Sequence, residues 1–135
     1  MIAFLLDTNI CIYIIKQNQP SVFERFKSLS LGSVGISAIT AAELQFGINK
    51  SLWPEKNRAA LEQFLIPLEI IDFDYEAAIH YGELRSTLEK SGKPIGPLDM
   101  LIGAHARSLN VTLVTNNLKE FVRIPGLKLE NWAAT

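Results

Sequence analysis

Short apolar pieces alternate along this chain with segments of helical period, and nothing else limits the possible folds as strongly. "IAFLL", "SVGIS", "LEIIDF" and "VTLVT" read as strands one to four, and "LKLENW" as an edge strand near the end. "TNICIYIIKQ" reads as a short helix with Thr8 or Asn9 as its cap, and "PSVFERFKSLS" as an amphipathic one with Pro20 in its first turn. A helix follows strand two from about Ala38 to Asn49, and another lies between Pro54 and Pro67. Asp74 is placed to cap the long helix "YEAAIHYGELRSTLEKSG", which Gly92 stops. After the turn "KPIGP", Pro97 opens "LDMLIGAHARSLN". Strands that alternate with helices predict an α/β fold, a mostly parallel sheet covered on both faces.

The size of the chain, 135 residues, suits one domain, expected over residues 1–132. A net charge of −1 argues against a strongly basic nucleic-acid binder but leaves room for positive residues clustered on one face. The lone Cys11 sits in an apolar segment and reads as a small core residue of a protein kept in a reducing compartment. No Lys or Arg precedes the first apolar run, and Asp7 and Asn9 interrupt it, so it reads as neither signal peptide nor membrane span. A soluble, cytoplasmic protein without a membrane partner is expected.

A parallel sheet binds its ligand outside the carboxyl ends of its strands. Asp7 follows strand one, and Glu43 lies early in the helix after strand two. Asp99 lies in the first turn of the helix opened by Pro97. Thr115, Asn116 and Asn117 follow strand four, with Glu120 one turn on. The fold can therefore gather carboxylates at one edge, where they would repel one another and resist losing water. A hard divalent cation removes that penalty, and oxygen ligands select Mg²⁺ or Mn²⁺ over zinc. Such a cluster suits hydrolysis of a phosphodiester bond. Plainer roles stay open at this level. Asp7 can serve as a helix cap, Glu43 and Asp99 can complement helix dipoles, and Thr115–Asn117 can form a simple turn.

"FLLDTNICIYIIK", "ISAITAAELQFG", "IGPLDMLIGAHARSLNVTLVTNNLKEFVRIPGL" and the terminal "ENW" resemble the PIN-domain ribonucleases, and more narrowly the VapC toxins of bacterial toxin–antitoxin pairs. Asp7-Thr8-Asn9, Thr40 with Glu43, Pro97-Leu98-Asp99 and Thr115-Asn116-Asn117 occur in that family's order and spacing. The resemblance implies a three-layer α/β/α sandwich around a sheet of four to five strands. It implies an endoribonuclease using Mg²⁺ or Mn²⁺, with Asp7, Glu43 and Asp99 as metal ligands. Thr8 or Thr115 would help hold ligands or a water, and Asn9, Asn116 and Asn117 would support the site. Water would attack the phosphodiester bond, leaving a 5′-phosphate and a 3′-hydroxyl. The resemblance further implies a VapB-type antitoxin that inhibits the toxin with its C-terminal segment and brings the pair to its promoter DNA. Homodimers are expected, as are tRNA anticodon loops as substrate, with initiator tRNA the first candidate. One departure stands out. Many relatives carry an aspartate where this chain has Asn117, so the fourth acid is either Glu120 or absent.

Other residues have weaker claims. His105 lies six residues after Asp99, about 240° around a helix, and reads as a packing residue before a base. His80 is plainer still, and Asp72 and Asp74 follow strand three. Arg85, Lys90, Lys93 and Arg107 are candidates for RNA phosphate contact, Arg85 and Lys93 foremost. Phe46, Trp53 and Tyr81 could stack on bases, although core or dimer packing is the simpler expectation. Competing functions are a PIN nuclease of RNA processing, a non-catalytic module that binds RNA or antitoxin, and a phosphoacceptor domain. The last expects an acidic pair after strand one, where this chain has Asp7 alone. There is no glycine-rich phosphate loop to suggest a nucleotide cofactor.

Overall fold

A computed structural model describes residues 1–30 and 32–133. Five short strands form one sheet: β1 (Phe4–Leu6), β2 (Val34–Ser37), β3 (Glu69–Ile71), β4 (Thr112–Val114) and β5 (Lys128–Glu130). They lie in the order β3-β2-β1-β4-β5, and every pairing is parallel. The helices are α1 (Thr8–Lys16), α2 (Pro20–Lys27), α3 (Ala38–Asn49), α4 (Pro54–Leu65), α5 (Tyr75–Lys90), α6 (Pro97–Leu109) and α7 (Leu118–Phe121). Chain order runs outward from β1 to β3 on one side and through β4 to β5 on the other. The direction reverses between β1 and β4, and a crevice opens at that point in sheets of this kind.

Neighbouring residues of the central strands supply opposite faces, as the two-residue period of a strand requires. Leu6 and Val114 pack with Ile10, Cys11, Ile14, Leu44, Leu61 and Phe64, drawn from α1, α3 and α4. Leu5 and Leu113 pack with Leu84, Leu88, Met100, Ile102 and Phe121, from α5, α6 and α7. The result is three layers with a dry core on each side of the sheet. Gly103 is needed for that closeness, since a Cβ there would lie 2.5 Å from Ile124 Cδ1. The terminal "ENW" is anchored by Trp132, which is buried edge-on against Phe4 at 5.6 Å between ring centroids.

The prolines at 20, 54 and 97 each stand in the first turn of a helix. Asp74 caps α5 by accepting from Ala77 N at 3.0 Å, and α5 ends before Gly92 with its φ of +70°. Two readings change. The cap of α1 is Asp7, the plainer role left open for it, and not Thr8 or Asn9: its Oδ1 accepts from Ile10 N at 2.9 Å. The four-residue α7 was hidden in "NNLKEFVR", because one helical turn has no period to read. Among the described residues no helix is long and apolar enough to cross a membrane.

Candidate metal centre at the carboxyl edge of the sheet

At the reversal between β1 and β4, the backbone N–H of Asp7 donates to Val114 O at 3.0 Å, so β1 and β4 release their next residues side by side. Asp7 and Thr115 are both buried there. Burial drives the Asp7 carboxyl above its usual range and the nearby Glu43 charge adds to this; hydrogen bonds from Thr115, Ile10 N and Asn9 N oppose it. Asp7 is therefore both cap and candidate ligand. The cap engages Oδ1.

α3 begins at Ser37, whose hydroxyl accepts from Ile39 N at 3.0 Å, and it carries Glu43 two turns along. The Thr8 hydroxyl donates to Glu43 Oε1 at 2.6 Å and ties the start of α1 to that carboxylate. Asp99 stands in the first turn of α6. Burial first, then the charges of Glu120, Asp7 and Glu43, raise its carboxyl to about 6. Acids from three other segments thus act on one group.

Glu120 is held from two directions. Gly96 N donates to its Oε1 at 2.9 Å, and Asn117 Nδ2 to its Oε2 at 3.2 Å. A methyl placed on Gly96 would lie 3.7 Å from Glu120 Oε1 and 3.8 Å from Asp99 Oδ2, so both carboxylates flank the same spot. The geometry separates Asn117 from Glu120: Glu120 faces Asp99, and Asn117 tethers it. Asn116 points elsewhere and donates to the Tyr13 hydroxyl at 2.8 Å. The Asn9 side chain is exposed, and only its backbone reaches Asp7.

Among the described residues, no three acids, histidines or cysteines are already drawn in closely enough to grip one ion. The four carboxylates form a facing set rather than a closed cage. They still fit a hard divalent ion in kind. All donors are oxygens, and burial and like charge raise the carboxyls of two of the residues, Asp7 and Asp99, a penalty that a cation would relieve. Any of Asp7, Glu43, Asp99 and Glu120 could contribute a ligand.

The basic candidates are engaged to different degrees. Arg85 pairs with Glu89 at 2.9 Å and also donates to the Tyr81 hydroxyl. Arg107 pairs with Glu83 and donates to His80 Nδ1 and Pro125 O. Both guanidiniums are thus already occupied by neighbours. Lys90 and Lys93 are exposed beside the "KPIGP" turn. Arg123, not singled out in the sequence, donates to Pro94 O at 3.0 Å and pins that turn to the segment after α7. Asp72 is exposed.

Phe46 and Trp53 are 65% and 69% exposed, which removes core packing as their role. Close by, a groove of about 240 Å³ runs between α1, α3 and α4, lined by Ile12, Ile15, Leu44, Ile48 and Leu61, with Glu43 at its wall. His105 is fully buried: its Nδ1 lies 2.8 Å from the Ser37 hydroxyl, and its ring meets Phe73 edge-on. That placement rules out a solvent-facing base.

Residues 4–127 match the PIN domain family. The chain is 48% identical to the tRNA(fMet)-specific endonuclease VapC of Salmonella typhimurium, over 98% of this chain and 99% of that protein. It is 49% identical to ribonuclease VapC2 of Rickettsia felis, over 96% and 97% respectively. The fold superposes with a TM-score of 0.91 on the crystal structure of VapBC2 from Rickettsia felis bound to a DNA fragment from its promoter, at 48% identity and covering 98% of this chain and 99% of that one.

Proposed function

The chain belongs to the PIN-domain family, among its VapC ribonucleases, and from that premise we propose that it is the toxin of a toxin–antitoxin pair. It is an endoribonuclease that hydrolyses RNA using Mg²⁺ or Mn²⁺, with tRNA as substrate and initiator tRNA the first candidate. The observation that carries the reading is Asp99, raised to about 6 by burial and by acids from three other chain segments. A structural carboxylate is seldom kept in such a setting without a cation to serve.

Asp7, Glu43 and Asp99 would hold the ion, and Glu120 would complete the set from α7. Once bound, a divalent ion neutralises these acids, lowers the pKa of an attacking water and offsets charge on the scissile phosphate. Thr8 fixes the Glu43 carboxylate through the 2.6 Å bond, and Thr115 steadies Asp7. Asn117 and Gly96 aim Glu120 toward Asp99. The products carry a 5′-phosphate and a 3′-hydroxyl. Lys90 and Lys93 supply positive charge near the site for RNA phosphates.

The named relatives support a VapB-type antitoxin as partner and promoter DNA reached through it. The apolar groove beside Glu43 suits an antitoxin segment that covers the acids. A homodimer in the cytoplasm completes the proposal. The test is to incubate the full chain, freed of antitoxin, with total tRNA, with Mg²⁺ or with chelator, alongside Asp99→Asn. Discrete fragments that require both Mg²⁺ and Asp99 are expected. Fragments that form equally in chelator would remove the metal from the mechanism.

A further inference from the structure

The Ser37–His105 contact lies in the interior, and of the acids named above it is the charge of Asp74, the cap of α5, that reaches the ring. Both residues are fully buried, and Ser37 Oγ lies 2.8 Å from His105 Nδ1. Ser37 ends β2 and caps α3, while His105 belongs to α6. The Ser37 oxygen accepts from Ile39 N, so its own proton is free for Nδ1. With Ser37 as the donor, the ring proton lies on Nε2, which has no hydrogen-bond partner among the described residues. The Phe73 ring closes over His105 with centroids 5.3 Å apart.

A polar pair in this position is costly. An aliphatic side chain at 105 would fill the space without desolvating an imidazole or leaving an N–H unpaired. What the pair provides is a directional link between two helices, which apolar contacts do not. The spacing gives that link its meaning. Glu43 lies six residues after Ser37, and Asp99 lies six residues before His105. Each offset is about 9 Å along a helix. Numbers rise along α3 as they fall along α6, so a fixed point at Ser37–His105 sets how far α3 brings Glu43 toward Asp99. The four acids are not already closed into a cage, so that separation decides how well one ion can span them.

We propose that His105 is a positioning residue: through Ser37 it braces α3 against α6 and sets the separation of Glu43 and Asp99 at the metal centre. This rests on the metal-nuclease reading of that site. His105 touches neither the acids nor the substrate, and it acts through the helices. Outer residues that orient metal ligands typically change metal affinity by about 10–100-fold when removed.

The experiment compares the full chain with His105→Phe, which keeps a ring against Phe73 but has no Nδ1 acceptor. Mn²⁺ affinity is measured by calorimetry, kcat and KM on tRNA by cleavage, and folding by thermal melting. His105→Phe should melt cooperatively, bind Mn²⁺ about tenfold more weakly and lose about tenfold in kcat with KM unchanged. His105→Asn, whose amide oxygen can accept from Ser37, should recover part of both losses. Ser37→Ala, which also removes the cap on Ile39 N, should lose at least as much, and the double variant should be no worse than Ser37→Ala alone, as expected for one shared contact. Should His105→Phe fail to fold, Ser37→Ala and His105→Asn carry the same measurements.

Wild-type Mn²⁺ affinity and kcat in a folded variant would overturn the brace alone, as would losses from the two positions that simply add. If the unaltered protein neither bound Mn²⁺ nor cut RNA, the metal-nuclease reading would fail first and the brace with it.

Discussion

The two ends of α6 use charge in opposite ways. At its start, Asp99 faces Glu120, Asp7 and Glu43, and like charges crowd a half-buried edge. In its last turn, Arg107 is matched to Glu83, with His80 and a backbone carbonyl taking two more of its donors. The second arrangement is satisfied within the protein. The first has no cation paired with it among the described residues, and a crowded group of this kind marks a candidate functional site. The exposure of Glu83 keeps the paired end modest, since ion pairs open to solvent contribute little.

The largest effect should come from the crowded end. Asp7→Asn, Glu43→Gln and Asp99→Asn should each take RNA cleavage below detection while leaving a cooperative melt, measured by gel assay and circular dichroism. Full activity in any one would remove that residue from the metal set. Next in size, Glu120→Gln should slow cleavage about tenfold, in line with loss of an outer or weak ligand. Asn117→Ala should cost less, because Gly96 N still holds Glu120. The reverse order would assign the fourth position to Asn117.

Protonation sharpens the contrast. Asp99 must lose its proton to bind a cation, so Mn²⁺ affinity should fall as pH drops through about 6. In metal-free protein the sign for stability runs the same way. The Asp99 carboxyl is raised in the folded state, so its contribution is fully present below its ordinary value of 3.8 and is lost as pH climbs through about 6. Asp99→Asn should therefore raise the melting temperature by a few degrees at pH 8 in chelator, and should give no gain at pH 4. The smallest effect belongs to the paired end. Glu83→Gln should cost at most about 1 kcal/mol and leave cleavage unchanged.

Much of the molecule was legible because local chemistry announces it. Pro97 opens α6 and Ser37 precedes α3, and both helices keep the bounds that their sequences suggest. The four acids were legible because each sits at a strand end or near a helix start, where a parallel sheet gathers its ligands. The cap of α1 was open among Asp7, Thr8 and Asn9, because all three are capping types and only backbone angles decide among them. The tether from Gly96 N to Glu120 was invisible, since a backbone donor carries no residue signature. Of the core or dimer packing expected for Phe46 and Trp53, the core part fell away because apolar character does not say which residues meet the core.

By itself, then, the sequence determined the alternation of strands and helices, the carboxyl edge and the identity of the acids, because period, caps and prolines act over a few residues. Tertiary structure alone decided that Glu120 rather than Asn117 faces Asp99 and that Arg107 is already paired. It also decided that Ser37 meets His105 across 68 positions of chain. Such contacts depend on how helices are set against one another, and that setting is a property of the packed core rather than of any local stretch.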